Sequence, residues 1–99
     1  MEQEGVHPIA STIVSSAGEP LFTGTATLDA NRRHVLTRIG GGAADEWTLT
    51  PAGTTGYFRI RNAGSGEMLY IGSNTLDSRR RRVVTWVGGG DVEGDGAVW

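Results

Sequence analysis

The sequence predicts an all-β fold in one small domain. Short stretches alternate apolar and polar side chains, turn-forming residues recur about every 8 to 12 positions, and no stretch has the spacing of an amphipathic helix. Glycine supplies 16 of the 99 residues, more than twice its usual share of about 7%. We therefore expect two tandem four-strand units that together form a small barrel.

The second half of the chain repeats the first. Gly18–Gly42 lies over Gly66–Gly90 without a gap, and 14 of the 25 positions are identical. A four-residue insertion after the second glycine triplet then brings Trp99 opposite Trp47. This self-similarity indicates a single domain over residues 1–99, with repeat one at about 1–46 and repeat two at about 47–99.

The second repeat carries the clearer strand signals. Tyr57–Arg61 alternates apolar and charged residues, as a half-buried strand requires, and Asn62–Gly66 supplies the turn residues of a reversal. This predicts a hairpin whose second strand is Met68–Ile71, followed by a break at Gly72–Asn74. A turn at Thr75–Ser78 then leads to a third strand at Arg81–Val87.

The first repeat shows the corresponding elements. Ile9–Val14 aligns with the first strand by position and Arg33–Ile39 with the third. Trp47–Pro51, at the boundary between the repeats, alternates as a fourth strand that closes one unit and opens the next. The glycine triplets Gly40–Gly42 and Gly88–Gly90 follow the third strands, and no helix follows them as in a phosphate-binding loop. They are expected to form strand-ending turns.

Composition excludes several classes of function. The chain has no cysteine, which removes disulfides, thiolate metal sites and thiol nucleophiles, and its net charge of −2 gives no general attraction to nucleic acid. No apolar run is long enough for a membrane span, and the acidic segment Met1–Pro8 is unlike a signal peptide. We expect no cofactor, no bound metal, no nucleic acid partner and no membrane span.

The order of strands and turns resembles the β-trefoil, whose four-strand unit has about this length and ends near an aromatic residue. More narrowly, Phe58–Asn62, Leu69–Gly72, Asp77 with its arginines and the final Trp99 resemble the C-terminal trefoil domain of the small silkworm haemolymph lipoproteins. A trefoil has three units and this chain has two. The resemblance implies a lost third unit, a unit elsewhere, or association of chains, and a five-stranded OB-type barrel is the competing closure.

Four consecutive arginines, Arg79–Arg82, are a candidate site for sulfate, phosphate or carboxylate groups. Along a strand, Arg79 and Arg81 would point to one side and Arg80 and Arg82 to the other. The alternative is a solvated turn in which Asp77 bonds an arginine, as Asp29 would bond Arg32 and Arg33 in the first repeat. Only Arg79 and Arg82 are particular to the second repeat.

Trp86 is a candidate stacking platform for a sugar, because it replaces Arg38 of the first repeat. Packing against the neighbouring unit is the alternative role. Trp47 and Trp99 are expected to anchor the core.

The remaining polar residues give weaker signals. His7 and His34 have no spacing typical of a catalytic triad or metal pair, and His34 is expected to be an exposed strand position. Asp91, Glu93 and Asp95 alternate in a loop that lacks the full calcium-binding pattern, which favours a solvated acidic loop.

These observations favour a non-catalytic binding module that recognises a glycan or a protein surface. The glycan is implied by the trefoil resemblance, and the ligand-binding residues would be Tyr70, Arg79, Arg82 and Trp86. The rival interpretation is a structural or protein-interaction segment of a larger secreted protein, with self-association through an open barrel face. An extracellular place is favoured over the cytoplasm.

Overall fold

A computed structural model describes residues 9–42 and 44–99 and confirms the all-β prediction. Its seven strands are β1 (Ile9–Ser11), β2 (Leu21–Thr27), β3 (Arg32–Thr37), β4 (Trp47–Pro51), β5 (Phe58–Asn62), β6 (Leu69–Thr75) and β7 (Arg81–Trp86), followed by a single turn of 3-10 helix at Asp95–Ala97. Nothing in the described part of the chain is a helix long and apolar enough to cross a bilayer.

The strands form two antiparallel sheets, in the orders β1-β4-β5 and β2-β3-β7-β6. The first unit comprises β1 to β4, and the second unit comprises β5 to Trp99. Two strand pairs connect the units, since β4 pairs with β5 over five residue pairs and β3 pairs with β7 over three.

The hairpins of the two units have the same register. Leu21 lies opposite Thr37, and Leu69, its equivalent in the second unit, lies opposite Thr85. Both hairpins then shift register towards their tips. At each tip one aspartate, Asp29 or Asp77, accepts hydrogen bonds from the backbone N–H groups two and three residues later. Similar sequence thus gives the same local structure in both hairpins.

Strand bounds differ from the expected ones in both units, since β1 ends at Ser11 and not at Val14, and β3 ends at Thr37 and not at Ile39. β4 begins and ends where the alternation places it, but Gly72 is buried within β6, in what was expected to be a break. A Cβ on Gly72 would lie 3.5 Å from the side chain of Val84, so glycine lets the strand continue at close approach. In place of a fourth strand the second unit has the 3-10 turn, after which Trp99 and Phe58 exchange two backbone hydrogen bonds of 2.8 Å.

The glycine triplets lie in strand-ending turns, as expected. The Gly41 N–H donates to the Arg38 carbonyl at 3.3 Å, and the Gly89 N–H donates to the Trp86 carbonyl at 3.1 Å. Both glycines have positive φ, at 80° and 74°, which other residues rarely adopt.

The expected closed barrel is wrong for the residues that the structure describes. β3 and β7 pair only from Arg32–Trp86 to His34–Val84. Beyond that point no pairing continues, and a cleft of about 710 Å³ is lined by the two hairpins. The four-stranded sheet is open because β2 and β6 are its edge strands, each paired on one side only, and closure needs every strand paired on both edges.

The core lies between the two sheets. Trp47, Ile60 and Leu69 are buried together. The Trp47 indole N–H also donates to the Leu21 carbonyl at 3.1 Å, and the Trp99 indole donates to the Leu69 carbonyl at 3.2 Å. The two tryptophans thus make the same contact with equivalent leucines, but Trp47 is 0% exposed and Trp99 is 36% exposed.

Candidate functional site

Tyr70 on β6 and Trp86 on β7 form an aromatic pair on the four-stranded sheet. Their ring centroids are 6.3 Å apart and the ring planes meet at 67°, an edge-to-face arrangement. Both side chains are half-buried. The pairing register explains the contact, because Tyr70 lies opposite Val84 and Trp86 is the next residue on that face of β7.

A charged and polar cluster adjoins the pair. Arg32 on β3 lies directly opposite Trp86, and its guanidinium forms an ion pair with Asp29 and a 3.2 Å hydrogen bond to the Ser73 hydroxyl. Partial burial raises the pKa of Tyr70, which keeps its hydroxyl protonated and able both to donate and to accept. The sheet thus places aromatic rings beside several hydrogen-bonding groups, a combination typical of sites for polar ligands.

The Trp86 indole differs from the other two indoles. Trp47 and Trp99 donate their indole N–H groups to backbone carbonyls, whereas no acceptor among the described residues lies within hydrogen-bonding distance of Trp86 Nε1. An indole N–H without a protein acceptor can donate to water or to a ligand.

The equivalent positions of the first unit make a different pair. Phe22 and Arg38, which align with Tyr70 and Trp86 in the repeat, stack with the guanidinium carbon 4.3 Å from the ring centroid. This is a cation–π contact in which the arginine covers the ring. The same place in the fold thus holds a stacked arginine in the first unit and a tryptophan in the second.

The structure separates the arginines of the 79–82 run. β7 begins at Arg81, so Arg79 and Arg80 lie in the hairpin tip, and the expected sharing of one strand side by Arg79 and Arg81 is wrong. Arg80 pairs with Asp77 at 2.7 Å, as expected of a solvated turn. Arg79 is exposed at the tip, while Arg82 is half-buried, lines the cleft and lies two strand positions from Val84.

The arginines of the first unit follow the expectation only in part. Arg32 bonds Asp29 as expected. Arg33, however, donates to Glu67 of the other unit at 3.0 and 3.2 Å. The sequence signal for Asp29 was its spacing from Arg32 in the turn, but nothing local indicates a partner so far along the chain.

The remaining candidates are the acidic loop and the two histidines. Asp91 of the acidic loop forms an ion pair with Arg61, and among residues 9–42 and 44–99 no three acidic or histidine side chains cluster as a metal site would require. His34 is half-buried and lines the cleft, so it is not the fully exposed position expected. His7 lies outside the described residues.

The hairpin-tip aspartates make a prediction about acid stability. Hydrogen bonds from Arg32 and from Arg80 hold the pKa values of Asp29 and Asp77 below the usual 3.8. A carboxyl whose pKa is lower in the folded state stabilises the fold above its unfolded-state value, and that contribution is lost as the pH falls through the folded-state value. Urea unfolding from about pH 6 to about pH 2 should therefore show a shallower acid loss for Asp29→Asn and Asp77→Asn than for the wild type. Parallel curves for all three proteins would contradict this.

Comparison with solved structures identifies a similar protein. No family model matches the chain, and no curated protein matches it. The solved structure of a salivary protein from Culex quiquefasciatus, which belongs to the Cysteine and Tryptophan-Rich (CWRC) family, is similar with a TM-score of 0.78 and 30% sequence identity. The match covers 100% of this chain and 65% of that one, so this chain spans just under two thirds of the protein it resembles.

The match agrees with part of what the sequence predicts. That protein comes from an insect secretion, in line with the insect resemblance inferred above. It is not a haemolymph lipoprotein, so the narrower resemblance and the trefoil arrangement stay predictions. The present chain has three tryptophans but no cysteine, and therefore shares only one of the two residue types for which the CWRC family is named.

Proposed function

We propose that this chain is a non-catalytic module that binds glycans outside the cell. The ligand would lie against Trp86 and Tyr70, with Arg79 and Arg82 contacting acidic groups on a longer or charged glycan. The observation that carries the proposal is the half-buried Trp86 indole, whose N–H has no acceptor among the described residues, beside Tyr70 and the Arg32–Asp29–Ser73 cluster.

The chemistry of a sugar fits this cluster. One face of a sugar ring carries C–H groups that pack on an aromatic ring, while its hydroxyls need donors and acceptors at the ring edge. Trp86 and Tyr70 supply the rings, and the Trp86 N–H, the Tyr70 hydroxyl and the Ser73 hydroxyl supply the polar partners. Because Arg32 is held by Asp29, the polar side of the cluster is preorganised.

Two further observations support the proposal. Arg38 already covers the ring of Phe22 in the first unit, whereas no cation–π contact is found at Tyr70 or Trp86 within the described part of the chain. The similar Culex protein is salivary, which favours an extracellular place for this chain as well.

A glycan array read with the wild type and matched variants tests the proposal. Trp86→Arg introduces the residue that the first unit has at the same place, so it should fold and lose at least about tenfold in affinity, or about 1.4 kcal/mol. Arg38→Ala, at the equivalent position, should leave binding unchanged. The proposal fails if no glycan binds the wild type, or if the Trp86→Arg variant binds as well as the wild type.

Salt dependence separates the parts of the site. Binding to Trp86 and Tyr70 through packing should change little between about 0.05 and 0.5 M salt, whereas contacts from Arg79 and Arg82 to an anionic glycan should weaken strongly. The double variant Arg79→Ala/Arg82→Ala should therefore remove the salt-sensitive part and leave neutral glycans bound as before. If that variant abolishes binding to neutral glycans, the roles given to the two groups are wrong.

A further inference from the structure

One contact between side chains joins the two units, and the equivalent contact is absent at the cleft between the hairpins. Where the units meet, Glu67 is 5% exposed and accepts a 2.6 Å hydrogen bond from the Thr85 hydroxyl as well as two from Arg33 of the other unit. The side chains of one arginine, one glutamate and one threonine thus connect the first unit to the second.

The same three residue types occur again on the cleft side without the connection. Glu19 accepts a 2.7 Å hydrogen bond from Thr37, as Glu67 does from Thr85, but within the described ranges it has no cationic partner. Arg81 corresponds to Arg33, and its guanidinium donates to the Gly72 carbonyl at 3.3 Å and to no described carboxylate. Arg81 and Thr37 both line the cleft.

Apolar residues line the cleft between these polar groups. Leu36 and Leu76 are 48% and 54% exposed, large fractions for leucines on the wall of a cavity. Trp99 also lines the cleft and is 36% exposed, while its equivalent Trp47 is fully covered in the core. Adjacent apolar side chains left exposed in this way are typical of an interaction surface.

We infer that the cleft binds a second copy of this chain, in a two-fold dimer that repeats the contact between the units. Arg81 of each copy would pair with Glu19 and Thr37 of the other, as Arg33 pairs with Glu67 and Thr85 within one chain. The surface is self-complementary because it carries both halves of the contact, and a two-fold axis satisfies both at once. Leu36, Leu76 and Trp99 would then be buried.

Charge reversal tests the pairing. Sedimentation velocity should show a wild-type dimer, and Arg81→Glu and Glu19→Arg should each shift it to monomer by placing like charges opposite one another. The double variant Arg81→Glu/Glu19→Arg should restore the dimer, because the exchanged pair is again complementary. Arg79→Glu, a reversal outside the cleft, is the control and should sediment as the wild type.

A second variant covers the case in which a charge reversal unfolds the chain. Leu76→Glu changes an exposed side chain, so it should keep the β circular dichroism signal and yet sediment as a monomer. A wild type that is folded and monomeric at roughly 100 µM overturns the inference, because a specific interface would show association at that concentration. So does a double variant that stays monomeric while both single variants are folded. Glycan binding by a monomer would leave the proposed function intact.

Discussion

Replacing Trp47 with alanine is expected to lower the free energy of unfolding by about 3–5 kcal/mol. The side chain is fully buried, packs with Ile60 and Leu69, and holds the Leu21 carbonyl through its indole N–H. Alanine would leave a large cavity and an unsatisfied carbonyl at the centre of the core. Small domains have only about 5–15 kcal/mol of total stability. A large fraction of the molecules should therefore be unfolded at moderate urea concentrations.

Trp99→Ala is the matched control for this prediction. The residue makes the equivalent indole contact with Leu69 but is 36% exposed, so its removal takes less apolar surface out of the core. At low protein concentration we expect a loss of about 1–2 kcal/mol. Equal losses for the two variants in urea titrations would contradict the description of one covered and one open unit.

Glu67→Ala should be the second large loss, at about 3 kcal/mol. It would leave the Arg33 guanidinium without its carboxylate and the Thr85 hydroxyl, which is fully buried, without its acceptor. A polar or charged group that is buried without a partner costs more than an absent one. This expected loss in free energy is at the low end of the usual range because the Arg33 side chain is 26% exposed to water.

Glu19→Ala makes the same change at the equivalent position of the first unit. Glu19 is half-exposed and accepts from Thr37, with no described arginine bonded to it, so we expect a loss below about 1 kcal/mol. Chemical denaturation of both variants in parallel measures the difference. A loss for Glu19→Ala as large as that for Glu67→Ala would show that the contact of Glu67 with Arg33 adds no stability beyond that of the glutamate–threonine hydrogen bond.

The strands were predicted well where apolar and polar residues alternate regularly. Trp47–Pro51 alternates over its whole length, and β4 has those bounds. The break expected at Gly72–Asn74 was wrong because the low strand propensity of glycine was outweighed by its close packing against Val84. The strand start at Arg81 depends on the Asp77 turn, which takes Arg79 and Arg80 into the hairpin tip.

Contacts between the units could not be predicted from the repeat. The alignment of one repeat on the other identifies equivalent positions, but it does not say which strand of one unit lies beside which strand of the other. The Arg33–Glu67 pair depends on β3 lying next to β7, a neighbour relation that leaves no signal in either strand. The cleft has the same origin, because nothing in the repeat indicates that the β3–β7 pairing ends after three residue pairs.

The residues of the candidate site were predicted only in part from the sequence. Tyr70 and Trp86 were each singled out from the sequence, and the hairpin register brings them into contact. Arg32 and Ser73 were missed as site residues, because they join the pair only across β3, β7 and β6 together. Arg79 lies at the hairpin tip and Arg82 lines the cleft, and their part in binding stays a proposal.

Hydrogen exchange of the three indole N–H groups can be followed by NMR. It tests most directly whether the two units are structurally equivalent and whether the second is more exposed to solvent than the first. In the monomeric Leu76→Glu variant we expect Trp47 to exchange slowest, Trp99 to be protected but faster, and Trp86 to exchange fastest, since its indole has no described acceptor. Trp86 exchanging more slowly than Trp99, or Trp99 showing no protection at all, would contradict the equivalence of the two units.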